Sequence, residues 1–150
     1  MNLSHGIIYR FPADMAALPA ILAHLESLCP QCDRVLVQKA ATAIEELFTN
    51  SVYHGVRLEG RVSYIGLAVM QIHGVLHVRY EDSFQAFDPF NGLDATHEQA
   101  GLSLEERPIG GLGRLIVRGL AHQAIYTRDG AVNRIDLHFA NTDEVLVNIK

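Results

Sequence analysis

Glu46, Asn50 and His54 fall at i, i+4 and i+8 within "EELFTNSVYHG", residues 45–55. Side chains four apart on a helix are neighbours. A helix here therefore carries a carboxylate, an amide and an imidazole in one stripe. Beside it, Leu36, Ala40, Ala43, Ile44, Leu47 and Ser51 recur at helical spacing and make a small-to-apolar face. An asparagine oxygen is a neutral, hard ligand that suits Mg²⁺. A carboxylate one turn away can accept a proton from an attacking hydroxyl or orient a water. The same stripe also fits a solvated helix face beside a core.

Two further segments carry chemistry. In "ERPIGGLGRLIVRGL", Gly110, Gly111 and Gly113 precede a helix whose first turn has unpaired N–H groups. Glycines let backbone approach an anion, and the helix dipole favours negative charge there. This is phosphate-cradle chemistry, although the pattern is neither a Walker A sequence nor G-x-G-x-x-G; an ordinary glycine hinge fits it too. In "YEDSFQAFDPF", Asp82 ends a strand and can accept a hydrogen bond from an exocyclic amine such as that of adenine. Phe84, Phe87 and Phe90 offer apolar walls or core filling. Taken in order, the segments supply a metal ligand with a base, a base-recognising acid, a lid and a phosphate loop. Cys29 and Cys32 form a C-x-x-C, which reads as a proline-containing loop more than as a redox or zinc motif, because no second pair accompanies it.

These residues need elements to hold them. The patterns predict a strand at 6–11, then a helix at 13–28 that Pro19 kinks or delays, and a long helix at 33–54 closed by Gly55. Strands at 61–72 and 75–82 follow, with a hairpin turn at His73-Gly74. Residues 83–109 show no period, and a connection that long reads as a lid. A glycine-initiated helix at 110–123 and strands at 124–129 and 133–139, turning at Gly130, complete the pattern. The tail at 140–150 fits either a short strand or a loose end. Helices do not alternate strictly with strands. The expected class is therefore α+β: a two-layer sandwich with a mixed, mostly antiparallel sheet and helices on one face.

The chain of 150 residues has the size of one domain, and 49% hydrophobic residues allow a full core. A net charge of −5, with 12 dispersed basic residues, argues against a nucleic-acid surface. No run approaches the roughly 18 apolar residues of a membrane span, and the N-terminus does not read as a signal peptide. A cytoplasmic protein is expected.

"EELFTNSVYHG" resembles the N-box of the GHKL (Bergerat-fold) ATPase superfamily. More narrowly, residues 105–139 and the "FDP" at 87–89 are similar to the stand-alone anti-sigma-factor serine/threonine kinases of bacteria. The likeness covers roughly residues 5–140. It implies one histidine-kinase-like ATPase domain over residues 1–150, with ATP and Mg²⁺ as cofactors. By the resemblance, Asn50 binds Mg²⁺ between the phosphates, Glu46 is the catalytic base and Asp82 reads the adenine amine. Gly111, Leu112 and Gly113 meet the phosphates, with Gly110 before them, and Arg107 matches a lid arginine that touches the terminal phosphate. His54 lines the same groove or caps its helix. The implied activity is transfer of the γ-phosphoryl group to a serine of a STAS-domain anti-anti-sigma protein, with a sigma factor as a second partner and a homodimer as the usual state. The alternative is a module that sequesters such partners with little or no catalysis.

Phe84 departs from the family's Asp-x-Gly. If that position needs φ > 0, the bulky residue is strained. If its backbone lies against adenine, the ring obstructs the pocket, stacks on the base or points away. His122 stands where an aspartate is common.

Overall fold

The period-2 runs become five strands in the computed structural model, which describes residues 6–92 and 111–141. They are β1 (Tyr9–Pro12), β2 (Tyr64–Ile72), β3 (Val75–Asp82), β4 (Gln123–Asp129) and β5 (Val132–Phe139). The helices are α1 (Leu18–Leu28), α2 (Arg34–His54) and α3 (Gly111–Leu120). The sheet order is β1-β2-β3-β5-β4. Every neighbouring pair is antiparallel, so the mixed character expected of the sheet is absent among the described residues. The β2–β3 and β4–β5 connections are tight hairpins, and a tight hairpin permits only antiparallel pairing. In the first, His73 (φ 50°) and Gly74 (φ 78°) both sit in the left-handed region, as a type I′ turn requires.

Capping sets where the helices begin. Asp14 accepts a hydrogen bond from the Ala16 amide at 2.8 Å and starts a 3-10 turn at Met15–Ala17. Pro19 then stands in the first turn of α1, where its missing N–H leaves no bond unmade; it delays the helix and does not kink it. Asp33 caps α2 by accepting from the Val35 amide at 2.8 Å.

Alternation sorts the sheet's faces. Leu76, Val78 and Tyr80 of β3 and Ile135, Leu137 and Phe139 of β5 enter one core with Leu36, Ala40, Ile44, Leu47 and Phe48 of α2. On the opposite face the register sets Arg79 against Asp136 and Glu81 against Arg134. Both pairs close, at 2.7 Å and 2.9 Å. Cross-strand charge pairs add about 0.2–1 kcal/mol each and help to fix register.

The C-x-x-C segment joins α1 to α2. Cys29 is buried and Cys32 donates to the Gln71 Oε1 atom at 3.1 Å; both thiols are free. Burial, reinforced by Cys32, pushes the Cys29 thiol up to about 12. No helix among the described residues is long and apolar enough to cross a membrane. At the other end, the Asn141 side chain donates to Asp33 Oδ2 at 2.8 Å; residues 142–150, the tail left undecided, lie outside the described residues.

Candidate functional site

The end of α2, the end of β3 and the start of α3 surround one cavity of about 430 Å³, within the range of small-molecule sites. Asn50 and His54 enter it from α2, Asp82 from β3, Asn133 from β5 and Arg114 from α3. His54 therefore lines the groove. The helix is closed instead by Gly55, whose amide donates to the Ser51 carbonyl at 2.9 Å.

Asp82 is held at its base. Its Oδ1 accepts from the Asn133 side chain at 2.8 Å and from the Phe84 amide at 3.2 Å. Its Oδ2 accepts from the Ser51 hydroxyl at 2.8 Å. Ser51 has one proton and gives it to Asp82, so in the 2.7 Å contact between Ser51 and Tyr80 the phenol is the donor. A carboxylate oxygen carries two lone pairs. One on Oδ2 is left for a ligand. Burial raises the Asp82 carboxyl above its ordinary value, against the pull of Asn133, Ser51, the Phe84 amide and the Arg128 charge.

Glu46 and Gly113 are not among the residues that line the cavity; they meet each other beside Asn50, which does line it. A Cβ on Gly113 would collide with Glu46 Oε2 and would stand 3.8 Å from Asn50 Nδ2. The first turn of α3 thus lies directly on the carboxylate and amide of the α2 stripe. Asn50 Nδ2 is buried and has no hydrogen-bond partner among the described residues. An unmet buried polar group costs about 1–3 kcal/mol, so its retention suits a site completed by a ligand. Gly111 opens α3, and Leu112 is exposed. Arg107 and Gly110 lie outside the described residues, as do residues 93–109 of the expected lid.

Phe84 is not strained. Among the described residues His73 is the only non-glycine with positive φ. The Phe84 ring is buried and packs under the end of α2, where a Cβ on Gly55 would approach its Cγ to 2.8 Å. It forms part of the cavity wall. Gly55 itself has φ −64°, so the need for glycine there is space and not a left-handed turn. The first residues of the expected lid are docked as wall: the Gln85 amide donates to the Val56 carbonyl at 2.8 Å, and the Phe87 amide donates to Asn133 at 3.1 Å. His122, exposed just past α3, donates its amide to the His138 carbonyl at 2.7 Å and takes no part in the cavity.

A model of the histidine kinase-like ATPase domain matches residues 11–139. The chain belongs to that family. A search of curated proteins gives no match. Among solved structures, the RsbU and RsbW domains of Rv1364c from Mycobacterium tuberculosis align with a TM-score of 0.60 at 15% identity, over 89% of this chain and 32% of that one. The histidine kinase domain of the EL346 blue-light activated histidine kinase from Erythrobacter litoralis aligns with a TM-score of 0.49 at 17% identity, over 92% and 65%. This chain therefore spans about a third of the mycobacterial structure. At 15% identity the likeness to the mycobacterial structure is one of fold.

Two residues of this ATPase domain escaped the sequence reading. Asn133 donates to Asp82 at 2.8 Å and to the Gln85 carbonyl at 2.8 Å, and its Oδ1 accepts from Phe87, Tyr126 and Arg128 at 3.1, 2.7 and 3.1 Å. It ties the wall segment to the sheet and aims the carboxylate. Its signal was present: Asn133, Ile135, Leu137 and Phe139 alternate on one face, and a polar residue on a buried face needs a reason. Arg114 is the second; it follows the glycines and lay hidden in the apolar pattern of α3.

Proposed function

We propose that this domain is an ATP- and Mg²⁺-dependent protein serine/threonine kinase of the anti-sigma type, acting on a STAS-domain partner. The observation that carries the proposal is one cavity lined by a buried acceptor, Asp82, and by Asn50, beside which Gly113 packs on Glu46. Asp82 would take the adenine amine on its remaining lone pair. The α3 start, with Gly110 to Gly113, would receive the phosphates, and Arg107 would reach the terminal one. The described residues contain no group of three acidic, His or Cys side chains that could cage a metal. That fits Mg²⁺, which commonly takes one or two protein oxygens and completes its shell with phosphate and water. Asn50 would hold it, and the chemistry it supplies when bound is neutralisation of charge on the phosphate oxygens.

The chain's own part is then positioning and proton transfer. Glu46 accepts the proton of the partner's serine hydroxyl. The serine oxygen bonds to the γ-phosphorus, the bond to the β–γ bridging oxygen breaks, and ADP leaves. A sigma factor as second partner and a homodimeric state complete the proposal. The second reading is a module that sequesters its partner without transfer, and the buried Phe84 ring in the cavity wall is the feature that favours it.

Radiolabelled γ-phosphate transfer to a STAS-domain protein separates the two. Wild type labels a serine. Glu46→Gln keeps ATP affinity and loses transfer by roughly 10²-fold or more, the usual contribution of a general base. No labelling by a wild type that binds the STAS protein stably selects the sequestering module.

A further inference from the structure

Arg114 stands in the first turn of α3, one residue after Gly113. The start of a helix already carries positive partial charge, and a cation there is unfavourable. Among the described residues no carboxylate pairs with this guanidinium. Its Nη1 donates to the Pro89 carbonyl at 3.4 Å, and its centre lies 5.9 Å from the Phe87 ring centroid. The hydrogen bond is at the long limit of the interaction and the ring contact is loose. Arg114 nevertheless lines the cavity, which it shares with Asn50. The buried Nδ2 of Asn50, which has no hydrogen-bond partner among the described residues, lies beside the same start of α3. A cation at a helix N-terminus and an unmet N–H thus border one cavity. An anion would resolve the conflict, and a guanidinium fork matches phosphate oxygens.

We propose that Arg114 is a further phosphate-binding residue of this site and that it contacts the terminal phosphate of ATP. This rests on the ATP reading above. The terminal phosphate is assigned because Arg114 adjoins Gly113, which packs against Glu46, the residue given the proton-transfer role. On binding, the guanidinium leaves the Pro89 carbonyl and the Phe87 ring for the phosphate.

Equilibrium titrations of wild type, Arg114→Gln and Arg114→Lys with Mg-ATP, Mg-ADP and AMP test it. Charge-assisted hydrogen bonds of this kind correspond to roughly a ten- to hundredfold change in affinity. Arg114→Gln is expected to lose that factor for ATP, to bind ADP within about twofold of wild type, and so to lose the preference for ATP over ADP. Arg114→Lys recovers part of it. Retained ADP binding shows that the variant is folded. Unchanged ATP affinity in Arg114→Gln overturns the role of Arg114 while leaving the ATP site intact. An equal loss for ATP and ADP overturns the assignment to the terminal phosphate. A wild type that binds neither nucleotide overturns the ATP reading itself, and the inference with it.

Discussion

Burial raises the Asp82 carboxyl above its ordinary 3.8, with the Asn133, Ser51 and Phe84 hydrogen bonds pulling the other way. The folded chain therefore holds this proton more tightly than the unfolded chain, and ionising Asp82 weighs against folding. The penalty is absent below the unfolded value and complete above the folded one. Asp82→Asn removes it. The amide oxygen can still accept from Asn133 and the Phe84 amide, its nitrogen can donate to Ser51, and Ser51 can donate in turn to Tyr80, which has the Leu47 carbonyl within 3.2 Å. The hydrogen-bond chain reverses without leaving a group unmet. Asp82→Asn is expected to be at least as stable as wild type at pH 7, with its advantage shrinking as pH falls toward about 4. Denaturant titrations across that range check this; a variant weaker at pH 7 than at pH 4, relative to wild type, contradicts it. At this scale the sequence was informative where chemistry had a spacing. That Glu46 and Asn50 share one face of α2 was legible from their spacing. Asn133 showed only as a polar residue on a buried face; its role was not legible, because Asp82, Gln85 and Phe87, three of its partners, lie 51, 48 and 46 residues away in the chain.

Gly55 and Phe84 belong to different elements and are explained only together. The ring that replaces a familiar glycine fits because the residue ending α2 has no Cβ. Gly55→Ala should therefore cost about 1–3 kcal/mol through overpacking against Phe84 and the Ser51 carbonyl. Paired with Phe84→Ala, the loss should be smaller than the sum of the two single losses, since removing the ring removes part of the clash. Additive losses in denaturant titrations of the cycle would show that the two positions do not share the space. Element boundaries were readable where local signals were strong: Asp33 before α2, Pro19 in the first turn of α1, and His73-Gly74 between β2 and β3. Residues 83–92 carry no period because hydrogen bonds to Val56 and Asn133, far away in sequence, hold them as a wall.

Across the whole molecule, two layers and one cavity follow from a few patterns. Period 3.6 in α2 and period 2 in β3 and β5 set the buried faces. The same faces carry Ser51, Asp82 and Asn133 at the cavity end, where polar residues interrupt them. The order of strands was not readable, because β5 inserts between β3 and β4 through long-range pairing. These faces meet at the cavity between α2, β3 and α3, the proposed ATP site read by Asp82. Calorimetric titration with ATP, with and without Mg²⁺, of wild type beside Asp82→Asn tests that proposal most directly. The variant keeps the fold but turns an N–H toward the adenine amine. Mg²⁺-dependent binding by the wild type, lost in a variant that melts normally, is the predicted result. Equal binding by both proteins, or no binding by the wild type, contradicts it.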